Sequence, residues 1–142
     1  MSPDAYVQMA RVQDRHWWFV ARRKILLDQI KALGLPANAE ILEIGSGTGA
    51  NLDLLAEFGS VTGIEMSEEA ITLAASRTQG MMKVTLRQGM CPQDIEKIGK
   101  EFDLICLFDV LEHIDEDSET LRQLVQILKP GGKLLLTVPA YR

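Results

Sequence analysis

Five short apolar runs, Glu40 to Ile44, Val61 to Glu65, Val84 to Arg87, Phe102 to Phe108 and Lys133 to Val138, alternate along the chain with segments of helical spacing. This alternation constrains the fold more than any other feature. A strand followed by a helix must cross back before the next strand, so parallel pairing through right-handed crossovers is the economical topology. The expected class is α/β: a doubly wound, Rossmann-like open parallel sheet with helices on both faces. Leu104, Ile105, Cys106, Leu107 and Phe108 follow one another without polar alternation, as a central strand covered on both faces requires.

The intervening segments carry their own start and stop signals. Asn51 to Phe58 reads as a helix closed by Gly59, and Ser67 is an N-cap followed by Glu68 and Glu69, acids that suit a helix N-terminus. Pro92 to Ile98 reads as a short helix, and Asp115, Glu116 and Asp117 open another that runs through Leu128. Ahead of the sheet, Ala5 to Gln13 has room for one or two helical turns. A stronger helix spans about His16 to Leu33, where Trp18, Arg22, Ile25, Leu26, Gln29, Ile30 and Leu33 recur at spacings of three and four; Gly34 and Pro36 then stop it. The expected organisation is an N-terminal helical, aromatic cap over residues 1–35 and a sheet domain over residues 36–142.

Length and charge narrow the function. With 142 residues, 46% of them apolar, the chain can bury one core and not two. Twenty acidic residues against 15 basic ones give a net charge of -5, a field that repels phosphate backbones, so no nucleic-acid partner is expected. Cys91 and Cys106 lack a Cys-x-x-Cys spacing and read as reduced, mostly buried thiols, with no metal site. No apolar run is long enough for a signal peptide or a membrane span, and a cytoplasmic location is the expectation.

Ligands of such sheets bind outside the carboxyl ends of the strands. There Gly45-Ser46-Gly47-Thr48-Gly49-Ala50 follows the first strand and opens a helix, so the backbone turns tightly and exposes amides that no side chain screens. Two ligands compete for this turn. With Ala50 in the last place it meets the dinucleotide fingerprint, and Glu65 lies 20 residues beyond Gly45, where a nicotinamide enzyme keeps its ribose-binding acid. Glu43 speaks against NAD, because a carboxylate two residues before the first glycine opposes a pyrophosphate and welcomes a cationic amino group.

Ile41-Leu42-Glu43-Ile44-Gly45-Ser46-Gly47-Thr48-Gly49 resembles the first motif of class I S-adenosylmethionine-dependent methyltransferases, and three later segments resemble that family's other landmarks in order. These are Gly63-Ile64-Glu65-Met66-Ser67, Phe102 to His113, and Leu128-Lys129-Pro130-Gly131-Gly132, so the resemblance covers roughly residues 38 to 139. It implies S-adenosylmethionine as cofactor. Glu65 would accept hydrogen bonds from both ribose hydroxyls, and Met66 would lie against adenine. Gly45, Ser46, Gly47, Thr48 and Gly49 would line the methionine portion and ribose, with Glu43 toward the ammonium. Gly89, Met90 and Cys91 stand where similar proteins often carry Gly-Asp-Ala, whose acid holds the adenine amino group. Met90 has no carboxylate to offer. Leu107 and Phe108 would border the methionine arm.

His16-Trp17-Trp18-Phe19 with Arg22-Arg23-Lys24 resembles the entry segment of one branch of these enzymes, which implies Arg22 or Arg23 as a clamp for the cofactor carboxylate. His113, just past the fourth strand, is the candidate catalytic base. The family's sheet normally has seven strands, and the sequence ends after the fifth, so a truncated fold is expected, with Leu134, Leu135, Leu136 and Val138 on an edge open to self-association. The resemblance implies methyl transfer to a small-molecule nucleophile. A NAD-binding oxidoreductase fragment and a catalytically inactive cofactor-binding or scaffold module are the alternatives.

Overall fold

Residues 2–12 and 17–140 are described by the structure, a computed structural model; the readings at Gln13 and His16 lie outside them. The apolar runs form β1 (Ala39–Ile44), β2 (Gly59–Glu65), β3 (Val84–Gln88), β4 (Phe102–Phe108) and β5 (Leu128–Thr137), paired in the order β3-β2-β1-β4-β5. Every pairing is parallel. Strand order therefore reverses beside β1, and the crevice that this reversal opens lies above the carboxyl ends of β1 and β4.

Burial explains which strands are central. From Ile41 to Ile44, Val61 to Glu65 and Leu104 to Phe108 every residue is buried, whereas exposed positions recur along β3 and β5, the two outer strands. Side-chain parity then divides the core. Ile41, Leu104 and Cys106 join Leu26, Ile30, Leu52, Leu55 and Val61 on one face, and Leu42, Ile44, Ile105 and Leu107 join Ile64, Ile95 and Leu124 on the other.

The helices are α1 (Pro3–Val12), α2 (Trp17–Leu33), α3 (Leu52–Ala56), α4 (Glu68–Arg77) and α5 (Asp117–Gln126). Leu26 and Ile30 of α2 are buried in the cluster that holds Ile41 and Leu55, so α2 packs into the core on one face of the sheet. The N-cap reading at Ser67 holds: its side chain accepts the Ala70 N–H at 3.2 Å. No helix among the described residues is long and apolar enough to cross a membrane.

Several boundaries differ from the sequence reading. The expected helix from Asn51 to Phe58 is only α3, and Gly59 opens β2 instead of closing that helix. The reason is steric, because a Cβ on Gly59 would collide with the backbone carbonyl oxygen of Ala39 on β1. The expected helix from Pro92 to Ile98 contracts to turns and one 3-10 turn, Glu96–Ile98, stopped by Gly99 at φ 70°. A second 3-10 turn, Leu111–His113, precedes α5, which starts at Asp117 and ends two residues before Leu128. Strand β5 begins at Leu128 instead of Lys133: Leu128 pairs with Phe102 and Lys133 with Leu104, so the Lys-Pro-Gly-Gly segment lies in a register shift. Asp103 sits at that irregularity and is used twice, accepting from the Glu40 N–H at 2.8 Å and from Lys129 Nζ at 3.2 Å.

The Gly59 contact predicts a sharp contrast between two glycine substitutions. Gly59→Ala is expected to cost roughly 3 kcal/mol or more in urea unfolding, since backbone must move. Gly80, at φ 83° with nothing within 4 Å of the added carbon, should lose only about 1–2 kcal/mol on replacement by Ala, the cost of the left-handed backbone. Equal losses would contradict the steric account of where β2 begins.

Candidate functional site

Glu43 follows the parity of Ile41 and so points to the face holding Cys106, its register partner on β4, and Leu52 of α3. It is 1% exposed. Burying a carboxyl group is costly unless its oxygens are bonded, and here, among the described residues, Oε2 accepts one long hydrogen bond, from Asn51 Nδ2 at 3.4 Å. Oε1 has no hydrogen-bond partner among the described residues. Loss of solvent pushes this carboxyl up to about 8, with the Asn51 hydrogen bond, the Glu65 charge and the Arg22 charge as smaller influences.

The turn above it is drawn onto β2. Gly45 and Ser46 both donate their N–H groups to the Ile64 carbonyl, at 2.7 and 3.0 Å, and the Gly49 N–H returns to the Ser46 carbonyl at 3.0 Å. Gly47 takes φ 57°, and a Cβ there would meet nothing within 4 Å, so its open side is available for a ligand to approach the backbone. Ser46 and Thr48 are buried, and Ser46 Oγ is a second buried polar atom without a hydrogen-bond partner among the described residues.

Glu65, at the end of β2, is 7% exposed and fixes the turn from the other side. Its Oε1 accepts the Gly47 N–H at 3.1 Å and its Oε2 accepts the Ser67 N–H at 2.8 Å. Each oxygen keeps a lone pair for a ligand hydroxyl. Beyond Glu65 the surface is apolar: Met66 and Met90 are 63% and 54% exposed. Gly89 donates its N–H to the Glu65 carbonyl at 3.1 Å, which brings Met90 to the same edge.

Sequence reasoning missed an acid at this edge. Asp94 Oδ2 accepts the Met90 N–H at 2.7 Å, and Lys97 binds Oδ1 at 2.9 Å; these bonds, with Lys97 first, hold the Asp94 carboxyl below its ordinary range. The signal was four residues downstream of Met90. Tyr6 on α1 was also missed: α1 packs on α4, and the phenol is raised by burial and then by the Glu65 charge, with the Ser67 side chain acting against them.

The entry helix is fastened at two points. Arg22 pairs with Asp109 and donates to Thr137 Oγ1 at 2.9 Å, while Thr137 donates to Asp109 Oδ1 at 3.1 Å. Arg23 bonds the Ala50 carbonyl and both oxygens of Asp53, at 3.0 and 3.2 Å. Both guanidinium groups are thus committed to protein carboxylates at the rim of the crevice. Leu107 and Phe108 are buried in opposite core clusters. His113 is 79% exposed at its side chain, and its Nε2 lies 3.7 Å from Glu112 Oε1, beyond hydrogen-bond range, so that contact does not orient the ring as a base.

A cavity of about 410 Å³ adjoins the Arg22–Asp109 pair, walled by Trp17, Trp18 and Ile25 on α2 and by Val138 and Pro139 after β5. It is mainly apolar with one charged pair at its floor, a lining that suits a flat or aliphatic organic molecule. Among the described residues no group of three or more His, Cys, Asp or Glu side chains could hold a metal ion.

The buried carboxyl has a consequence for stability. Folding raises the proton affinity of Glu43 from its ordinary value near 4.5 to about 8. The native state therefore binds more protons than the unfolded chain in that window, and its stability falls as pH rises through it. Glu43→Gln should remove this part of the slope in a urea-unfolding series from pH 5 to 8. Superimposable pH profiles for the two proteins would contradict the protonated, buried carboxyl.

Comparisons with known proteins give the family. Residues 16–142 match the family described as "Methyltransferase domain". Demethylmenaquinone methyltransferase of Tropheryma whipplei (strain Twist) is 32% identical over 126 residues, which are 88% of this chain and 48% of that protein. The chain thus spans about half the length of that curated relative. A putative S-adenosyl-L-methionine-dependent methyltransferase from Methanococcus maripaludis superimposes with a TM-score of 0.78 at 22% identity, covering 95% of this chain and 63% of the other. A SAM-dependent methyltransferase from Thiobacillus denitrificans, solved in complex with S-adenosyl-L-homocysteine, gives 0.64 at 25% identity, covering 78% of this chain and 46% of the other. A match to the family over residues 16–142, on an open parallel sheet with its glycine turn at the strand-order reversal, means that this chain belongs to the methyltransferase domain family.

Proposed function

We propose that the protein binds S-adenosylmethionine in the crevice between β1 and β4 and, as a complete enzyme, directs its methyl group to a nucleophile on a small apolar acceptor. The observation that carries this reading is the pair of buried carboxyl groups, Glu43 and Glu65, on either side of the glycine turn. Two acids beside a helix N-terminus oppose a diphosphate and favour a ligand with an ammonium and a diol. Membership of the methyltransferase domain family weighs against the NAD alternative in the same direction.

The residues present fit the group. Glu43 Oε1 and Ser46 Oγ are buried polar atoms without partners among the described residues, and the open side of Gly47 gives access to the backbone. Glu43 would receive the ammonium, Glu65 the ribose hydroxyls, and Met66 and Met90 the two sides of the adenine edge. Arg22 would stand near the carboxylate end while remaining paired with Asp109. When bound, S-adenosylmethionine supplies an electrophilic methyl group on a sulfonium. The protein's part is to hold the acceptor in line with it and to exclude water, which by itself supplies much of the rate enhancement. The Trp17 and Trp18 cavity provides that place for an acceptor. The name of the Tropheryma relative, a demethylmenaquinone methyltransferase, supports a small-molecule acceptor. A cytoplasmic location belongs to the same reading.

Self-association through the outer edge of β5, where Leu136 is 37% and Val138 54% exposed, is a further part of it. Sedimentation is expected to show a concentration-dependent dimer, and a monomer at every concentration removes this part alone.

Isothermal titration should show S-adenosylhomocysteine binding and no heat with NAD. Glu65→Ala is expected to weaken the S-adenosylhomocysteine affinity by about 1.5–3 kcal/mol, the loss of charge-assisted hydrogen bonds. Binding of NAD alone, or unchanged affinity in Glu65→Ala, would overturn this assignment of the site.

A further inference from the structure

The cavity of about 410 Å³ beside α2 has two kinds of wall. Trp17, Trp18 and Ile25 on α2 and Val138 after β5 make it apolar, and each of them is more than half exposed. At its floor lie Arg22, Asp109 and Thr137, brought together from α2, the end of β4 and the end of β5. The side chains of Arg22 and Asp109 are 26% and 35% exposed, so a ligand in the cavity can reach the pair.

The hydrogen bonds of the floor determine what it can still take. Thr137 Oγ1 accepts from Arg22 Nη2 at 2.9 Å and from the Asp109 N–H at 3.1 Å, and it donates to Asp109 Oδ1 at 3.1 Å, which fills the capacity of a hydroxyl. Asp109 Oδ2 accepts from Arg22 Nη1. Among the described residues, each Asp109 oxygen thus keeps a lone pair and Arg22 keeps further N–H groups. The backbone fixes Asp109 in place. Its φ of 57° lies in the left-handed region that a residue with a side chain rarely adopts, and its N–H is held by the Thr137 carbonyl at 3.0 Å.

We propose that the cavity takes a neutral, hydroxyl-bearing molecule with a flat apolar body, the hydroxyl donating to Asp109 and accepting from Arg22, so that Asp109 determines which acceptors are held. This inference rests on the reading of the cavity as the acceptor's place and gives that acceptor a chemical class. A hydroxyl uses both spare capacities without breaking a bond of the floor. A carboxylate would have to draw Arg22 away from Asp109 and leave a half-buried acid without its cation. An ammonium would meet the Arg22 charge. An amide could bridge the pair, but its nitrogen lone pair is delocalised into the carbonyl, which makes it a poor nucleophile for a methyl group. An ether has no hydrogen to give Asp109, so an O-methylated ring is held less tightly than the corresponding hydroxyl compound. The floor therefore discriminates between an acceptor and its methylated product.

The chain's two tryptophans, Trp17 and Trp18, both wall the cavity, so their indole N–H signals in proton–nitrogen correlation spectra of the full chain report its occupancy. Titration with 2-naphthol should shift both signals, with an affinity about tenfold above that of 2-methoxynaphthalene, the share of one hydrogen bond to a charged acceptor. 2-Naphthoate should bind more weakly than 2-naphthol. Equal affinities for the hydroxyl compound and its ether, tighter binding of the carboxylate, or no indole shift with 2-naphthol overturns the proposal. Asn also tolerates the left-handed backbone, so Asp109→Asn should keep the fold, as its urea midpoint checks. In that variant the preference for 2-naphthol over its ether should fall to about twofold or less, because the charged acceptor is gone; a preference that persists in full overturns the role of Asp109. The wild-type comparison decides even where the variant does not fold. S-adenosylhomocysteine is titrated separately by calorimetry: its failure to bind overturns the cofactor reading, whereas its binding without any hydroxyl preference in the cavity overturns this proposal alone.

Discussion

The position of β1 between β2 and β4 is the constraint on which the rest of the structure depends. Ile41 lies opposite Val61 on one side and Leu104 on the other, and Ile44 opposite Ile64 and Leu107. A one-residue slip would carry Glu43 to the opposite face of the sheet and expel an apolar neighbour from the core. With the register fixed, the chain leaves β1 at the reversal of strand order, and two N–H groups of the turn close on a single carbonyl of β2. The crevice is thus a consequence of strand pairing.

That placement explains why the polar groups of the site are buried and incompletely bonded. Thr78 satisfies its buried hydroxyl locally, by donating to the Ala74 carbonyl at 2.8 Å, whereas Glu112 Oε2, Thr120 Oγ1 and Gln123 Oε1 have no partner among the described residues. Around the turn, Glu43 Oε1 and Ser46 Oγ are left without partners among the described residues, although each such atom costs free energy. Glu65 plays the complementary part: it is satisfied by backbone N–H groups of the turn and of the next helix, and it ties the turn to the end of β2.

Much of this was legible in the sequence because its causes are local. The unbroken apolar run from Leu104 to Phe108 announces a strand buried on both faces, and Ser67 followed by two glutamates announces a helix start. That Glu43, the glycines and Glu65 lie together was legible because spacing within one βαβ unit fixes their proximity. What escaped depends on distant partners. Gly59 reads as a helix stop until the Ala39 carbonyl is placed against it. Arg22 and Arg23 take partners that no local spacing shows, Asp109, 87 residues away, and Asp53, 30 residues away. Asp94 and Tyr6 reach the edge of the site through a turn and a helix pairing that no periodicity encodes.

In the function proposed above, the buried acid beneath the glycine turn selects a ligand with a cationic amine. A crystal structure of the chain grown with S-adenosylhomocysteine tests this most directly. The account predicts the amino group within hydrogen-bond distance of Glu43 Oε1 and the ribose hydroxyls on Glu65. A complex in which the amino-acid arm leaves Glu43 untouched, or in which the nucleoside lodges away from Glu65, would contradict it.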